Sequence, residues 1–84
     1  MKAEIILMNP TRGMIVARSD EVGFVIFELL GDYSPEIGDV VSHSDFSSKG
    51  SEKYRNVTQR EDMDVYVEGI VGTIGAAKKR CSLQ

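Results

Sequence analysis

The sequence predicts an all-β fold, a small five- or six-stranded Greek-key barrel followed by a short C-terminal helix. Short apolar runs follow one another at tight spacing, with turn-forming residues between them, which is typical of barrels and sandwiches. One run near the C-terminus alternates strictly between apolar and polar residues, as a half-buried strand does. The chain has only 84 residues, and a small closed sheet is a natural arrangement for so many short strands at this length.

The first half of the chain predicts a three-stranded meander. Its strands are expected at residues 3–8, 12–18 and 22–30. Pro10 ends the first strand because proline cannot donate to a β-ladder, and the polar residues 19–21 form the second turn. Alternation along the first strand places three residues on one face: Ala3, Ile5 and Leu7.

The second half of the chain predicts three further strands. They are expected at residues 37–41, 53–58 and 63–68. The last strand has the clearest pattern, because strict alternation points Met63, Val65 and Val67 inward. Residues 44–51 are small and polar, and we expect this loop to be mobile.

A short helix is predicted after the barrel. Thr73 can cap its N-terminus, and Ile74, Ala77 and Cys81 would share its inner face. Residues 78–80, two lysines and one arginine, fall in the last turn, where positive charge suits the helix dipole.

Length and composition predict one domain, with the barrel in residues 1–71 and the helix and tail in residues 72–84. The single cysteine cannot form an internal disulfide, which fits a reducing compartment. The N-terminal apolar run is too short for a signal-peptide core, and no apolar stretch approaches the roughly 20 residues of a membrane span. These features favour a cytoplasmic protein.

The charge is unevenly distributed along the chain. The formal net charge is −3, and the segment from Ser19 to Ser48 holds seven acidic residues and no lysine or arginine. Basic residues collect in two later groups: Lys49, Lys53, Arg55 and Arg60, then Lys78, Lys79 and Arg80. A global excess of acid disfavours long-range attraction to nucleic acid, although a local basic face remains compatible with it.

Several short motifs occur in a characteristic order: Asn9, Arg12-Gly13, Phe24-Val25-Ile26-Phe27, Gly38-Asp39-Val40-Val41 and Asn56-Val57-Thr58. In this order they resemble the cold-shock domain, an OB-fold barrel, and the resemblance covers roughly residues 2–68 in layout. It implies an OB-like barrel that binds single-stranded nucleic acid on the outer face of its second and third strands. The layout is also similar to short uncharacterised bacterial proteins.

The chain departs from the cold-shock pattern on that outer face. Met14 and Val16 stand where the family carries aromatic residues, and Ile15 replaces the glycine between them. Bases stack on those aromatics, and each contact contributes about 1–3 kcal/mol. Phe24, with Phe27 as a second candidate, is the stacking group that remains.

Two kinds of binding surface are therefore predicted. A nucleic-acid surface would use Arg12, Phe24, Lys53, Tyr54 and Arg55. Its basic residues would form one strip if the second and fifth strands lie close together; otherwise they are solvated edge residues. The alternative is a protein or homo-oligomer interface on the apolar outer face, formed by Ile6, Met14, Val16, Phe24 and Ile26.

The sequence predicts no catalytic, metal or cofactor site. His43 has no cysteine near it in the sequence, and Cys81 has no local base, so neither a metal site nor a nucleophile–base pair is indicated. We therefore expect a protein without enzymatic activity. Residues 81–84 formally match the C-a-a-X prenylation pattern. Ser82 fits its first aliphatic position poorly, and the favoured interpretation packs Cys81 as a small apolar residue in the last helical turn.

Overall fold

A closed barrel of six antiparallel strands forms the body of the protein, which the computed structural model describes over residues 1–81. The elements are β1 (Lys2–Asn9), β2 (Met14–Ser19), β3 (Gly23–Leu29), β4 (Val40–Ser42), β5 (Gly50–Asn56), β6 (Glu61–Val71) and α1 (Ile74–Arg80). This architecture confirms the predicted small all-β barrel with a short C-terminal helix.

The strands follow one another around the barrel in the order β1-β2-β3-β6-β5-β4, and β4 pairs with β1 to close the ring. The first three strands form the predicted meander. The chain then crosses from β3 to the far side of β1, which makes the topology a Greek key. Strands three places apart in this ring face each other across the barrel, so β2 lies opposite β5 and β1 lies opposite β6. The closure at β4 is short, since β4 pairs only with residues 2–4 of β1 and residues 55–56 of β5.

The strands of the meander begin and end within two residues of their predicted bounds, and the bounds shift further in the second half. Strand β5 runs over Gly50–Asn56 and not over residues 53–58. Strand β4 begins at Val40, because residues 36–39 form a turn in which the Asp39 amide donates to the Glu36 carbonyl over 3.0 Å. Strand β6 continues to Val71, three residues beyond its predicted end. Its register against β3 shifts between Ile26 and Phe27, and Gly69 takes a φ of +150° there. The β-bulge bends the strand without ending it.

The barrel interior is filled by the inward-facing apolar side chains. The predicted inward residues of β6, Met63, Val65 and Val67, are all fully buried there. The prediction for β1 is correct only in part. Ala3 and Ile5 face the interior, but the register against β2 shifts between Ile5 and Leu7, and Leu7 packs on the outside of the barrel.

The loop between β4 and β5 is anchored to the barrel by an aromatic residue. Phe46 is fully buried, and its ring centre lies 5.3 Å from that of Tyr54. Next to the loop, His43 Nε2 lies 2.8 Å from Glu52 Oε1, and the Asp45 amide donates to His43 Nδ1 over 3.0 Å. The loop therefore contributes a core side chain, which its polar sequence did not indicate.

Helix α1 lies across the outer face of the meander. Thr73 is its N-cap, as predicted, and its hydroxyl accepts from the Ala76 amide over 3.2 Å. Ala77 and Cys81 are buried against the barrel, whereas Ile74 is 40 % exposed, so Ile74 does not share the inner face. At the other end, Asn9 Nδ2 donates to the Cys81 carbonyl over 2.7 Å.

The face under the helix is a narrow apolar strip, which we call the outer strip: Met14, Val16 and Ile26. All three side chains are buried, and Ala77 and Cys81 pack on them. Because strands expose alternate residues on each face, β2 and β3 place these side chains outside while Ile15, Val25 and Phe27 fill the interior. The helix thus completes a second, smaller core.

Candidate functional site

The residues predicted to bind nucleic acid do not meet at one surface. Arg12 lies in the turn between β1 and β2, and Phe24 lies at the start of β3 beside the helix. Lys53 and Arg55 lie on β5. The predicted basic strip is wrong because β5 is on the wall opposite β2 in the ring of strands.

Tyr54 is buried inside the barrel, so its predicted place at a binding surface is wrong. Its ring packs 4.9 Å from Phe27, centre to centre, in an edge-on arrangement. Burial, with a smaller contribution from the negative charges of Glu52 and Asp45, raises the pKa of its phenol far above the ordinary value. Among residues 1–81, its hydroxyl has no hydrogen-bond partner.

Replacing Tyr54 with phenylalanine is expected to leave the stability unchanged or to raise it by about 1 kcal/mol. A buried hydroxyl without a partner carries its desolvation penalty uncompensated, and Phe removes that penalty while it keeps the ring. Urea unfolding measures the change, with the exposed Tyr66→Phe as the matched control. A loss of more than about 1 kcal/mol from Tyr54→Phe alone would contradict this account of the hydroxyl.

The two cations of β5 form ion pairs across the strand with carboxylates of β6. Lys53 Nζ lies 3.4 Å from Asp64 Oδ1, and Arg55 NH1 lies 3.2 Å from Asp62 Oδ1. All four side chains are about half exposed or more, and exposed pairs contribute at most about 1 kcal/mol. Because the pairs are weak, Lys53 and Arg55 can leave these carboxylates for another anion. The four charges cancel, so the surface of β5 and β6 gains no net positive charge from them.

The residues predicted as an apolar interface do lie on the outer face, but the chain covers them itself. Met14, Val16 and Ile26 form the outer strip beneath α1, and Ile6 and Phe24 are half-buried at its margin. This corrects the expectation of an exposed patch. In this structure the strip is not open to a second molecule.

Lys49 and Arg80, which sequence reasoning did not bring together, meet near the end of β6. Together with Lys78 and Lys79, which precede Arg80 on α1, they are called the basic cluster, and all four are exposed. None of the four forms an ion pair within residues 1–81. A Cβ placed on Gly69 would lie 3.6 Å from Lys49 Cε and 4.0 Å from Arg80 NH2, so these two side chains converge over the same point of β6. Arg80 NH2 also approaches the Glu68 carbonyl at 3.4 Å.

An exposed aromatic ring lies on the same strand as this convergence. Tyr66 is 44 % exposed and is paired with Ser51 of β5 on one side and Glu28 of β3 on the other. It precedes Gly69 by three residues, which is about 10 Å along a strand. Tyr66 pairs with Glu28 and Gly69 pairs with Ile26, so Tyr66 and Gly69 lie on the same outer face of the sheet.

Within residues 1–81, no group of three or more His, Cys, Asp and Glu side chains is placed to hold a metal ion. Burial raises the pKa of the Cys81 thiol, against the smaller opposing effects of Arg12 and Arg80. Residues 82–84 of the C-a-a-X match lie outside the described residues. None of the described helices is long and apolar enough to cross a membrane.

A scan against family models matches no family, and searches among curated proteins and solved structures find no significant match. The resemblance to the cold-shock domain therefore stays a prediction. The functional argument rests on the geometry of the surface alone.

Proposed function

We propose that this protein is a small non-enzymatic binding module for single-stranded nucleic acid, held on the outer wall of β5 and β6 beside α1. The observation that carries the proposal is the exposed ring of Tyr66 on the strand over which Lys49 and Arg80 converge. A base can stack on the ring while neighbouring phosphates contact the basic cluster. This is the combination that single-strand binders use without a sequence code.

The cations beside α1, rather than the charges of β5 and β6 themselves, support this location over the one predicted from the sequence. The cluster of Lys49, Lys78, Lys79 and Arg80 supplies cations that no carboxylate of residues 1–81 pairs with. Phosphate contacts release condensed counterions, and this release drives affinity that falls with salt. The outer face of the meander offers nothing comparable, since the helix covers its apolar strip.

Replacing Tyr66 with alanine is expected to weaken binding of a short single-stranded oligonucleotide by about 10-fold, because one stacking contact is lost. Tyr66→Phe keeps the ring and is expected to bind as the wild type does. Fluorescence anisotropy with a labelled 12-nucleotide thymidine strand, at two salt concentrations, measures both. The proposal would be contradicted if the wild-type protein shows no detectable binding at low salt.

The charge requirement has its own matched pair of variants. Lys49→Gln is expected to reduce the slope of log affinity against log salt by about 0.7, the value for one phosphate contact on a single strand. Lys2→Gln makes the same change in net charge on β1, the wall opposite β6, and is expected to leave the slope close to that of the wild type. Equal slopes in the two variants would show that the cluster does not contact the ligand.

A further inference from the structure

A cleft lies at one end of the barrel, between the β1–β2 turn and the loop that leads from β3 toward β4. It encloses about 260 Å³. Most of its lining is apolar, and the residues that shape it are Met8, Pro10, Met14, Leu29, Tyr33 and Pro35. A cleft of this size is smaller than the roughly 300–1,000 Å³ of a drug-sized ligand site. It has room for one large apolar side chain.

The walls of the cleft are held in place by hydrogen bonds on both sides. The Leu29 amide donates to the Gly13 carbonyl over 3.0 Å, which ties β3 to the β1–β2 turn. The Tyr33 hydroxyl accepts from the Asp64 amide over 3.1 Å, which fixes the loop to β6. Two prolines restrict the backbone further, while the methionine side chains can adapt to an occupant. The cleft is therefore formed before anything binds.

Three acidic residues adjoin the lining of the cleft along the chain and are called its rim. Glu28, Asp32 and Glu36 each stand next in sequence to a lining residue, and none of them forms an ion pair within residues 1–81. Arg12 is the one cation of the sequence that stands next to a lining residue. A ligand with positive charge beside its apolar group would be complementary to this rim. Nucleic acid would be repelled by it.

We propose that this cleft is a second binding site, which takes a partner-protein segment carrying a large apolar side chain next to lysine or arginine. The apolar side chain enters between Pro10, Leu29 and Pro35, and the flanking cations face the carboxylates of the rim. The residues that line the cleft do not include Tyr66, Lys49 or Arg80, although the rim residue Glu28 pairs with Tyr66 between β3 and β6. The site stands or falls independently of the proposed binding of nucleic acid.

The test uses a fluorescein-labelled pentapeptide, Lys-Lys-Leu-Arg-Lys, titrated with the full chain at low and physiological salt. Replacing its leucine with glycine is expected to weaken binding at least 10-fold, since the apolar group is lost. On the protein, the double variant Asp32→Asn with Glu36→Gln is expected to weaken binding several-fold and to reduce its salt dependence. Both positions are exposed, so the barrel is expected to fold normally. Asp20→Asn with Glu21→Gln, in the turn between β2 and β3, is the matched control.

Amide chemical shifts locate the peptide in the same titration. Supporting results are perturbations centred on Leu29 and Tyr33 together with the leucine dependence. The proposal is overturned if the peptide does not bind or if the glycine peptide binds equally well. It is also overturned if the control pair weakens binding as much as the rim pair, or if the shifts centre on another surface.

Discussion

Replacing Ala77 with glutamate is expected to detach α1 from the barrel and to expose the outer strip. Ala77 is fully buried against Met14, Val16 and Ile26, and a carboxylate there would lose its hydration with no partner to replace it. The penalty exceeds what a seven-residue helix gains by docking. The barrel has its own interior core, so we expect the helix to leave while the barrel remains folded.

Detachment has three measurable consequences. The free energy of unfolding is expected to fall on the order of 3 kcal/mol, the contribution of the apolar side chains that the helix keeps dry. The amides of Ala77 and Cys81, which bond to the Thr73 and Ala77 carbonyls, lose their protection from hydrogen exchange. The exposed strip also promotes self-association, which sedimentation detects as a concentration-dependent increase in mass.

Gly75→Glu is the matched control, because it adds the same side chain to the same helix. A Cβ at Gly75 meets nothing within 4 Å, so the new side chain points into open space. Glutamate forms helix better than glycine and suits the positive end of the helix dipole, so the stability is expected to stay constant or to rise slightly. A monomeric Ala77→Glu protein with protected helix amides would show that α1 does not cover the strip.

The sequence contained both halves of this contact but not their pairing. Alternation placed Met14 and Val16 on the outer face, and helical spacing placed Ala77 and Cys81 on one side of α1. The two halves are more than 60 residues apart along the chain, and no local pattern indicates that one covers the other. The hydrogen bond from the Asn9 side chain to the Cys81 carbonyl also joins the end of β1 to the end of α1. What was predicted as a site for a partner is therefore filled by the chain's own helix.

The candidate binding wall shows where sequence reasoning had a usable signal and where it had none. Tyr54 lies between Lys53 and Arg55, and alternation alone places a residue between two outward charges on the inner face. The burial of Tyr54 could thus have been predicted. The separation of β2 from β5 could not, because it depends on where the crossover after β3 inserts β4 into the ring. The convergence of Lys49 and Arg80 depends on the same long-range arrangement.

Asp39→Ala is expected to lower the free energy of unfolding by about 3 kcal/mol. Asp39 is buried, and its Oδ2 accepts hydrogen bonds from the Asn56 side chain at 2.9 Å, the Gln59 side chain at 2.7 Å and the Glu36 amide at 3.0 Å. These bonds tie the loop before β4 to the β5–β6 turn. Alanine removes all three and leaves the fully buried amide of Asn56 without this partner. Urea unfolding measures the loss.

Asp32→Ala provides the comparison for the loss of a carboxylate by itself. Asp32 is exposed and forms no ion pair within residues 1–81. Its replacement is therefore expected to change the stability by less than about 0.5 kcal/mol. Equal effects of the two substitutions would show that the network around Asp39 does not hold the turn.

The same network predicts how stability depends on pH. Burial alone would raise the pKa of Asp39, but the bonds from Asn56, the Glu36 amide and Gln59 together outweigh it and hold the pKa below its ordinary value of 3.8. A carboxyl whose pKa is lower in the folded state stabilises the fold above its unfolded pKa. This stabilisation is lost as the pH falls through 3.8 toward the folded value.

Asp39→Asn keeps the size of the side chain but removes this titration. Its stability is expected to fall less steeply than that of the wild type as the pH is lowered from about 5 to about 2. The Asp45 carboxyl, whose pKa bonds from Ser47 also lower, titrates in both proteins and cancels in the comparison. Parallel curves of stability against pH across this range would mean that the pKa of Asp39 is the same in the folded and the unfolded protein. The three hydrogen bonds would then hold the protonated side chain as well as they hold the carboxylate.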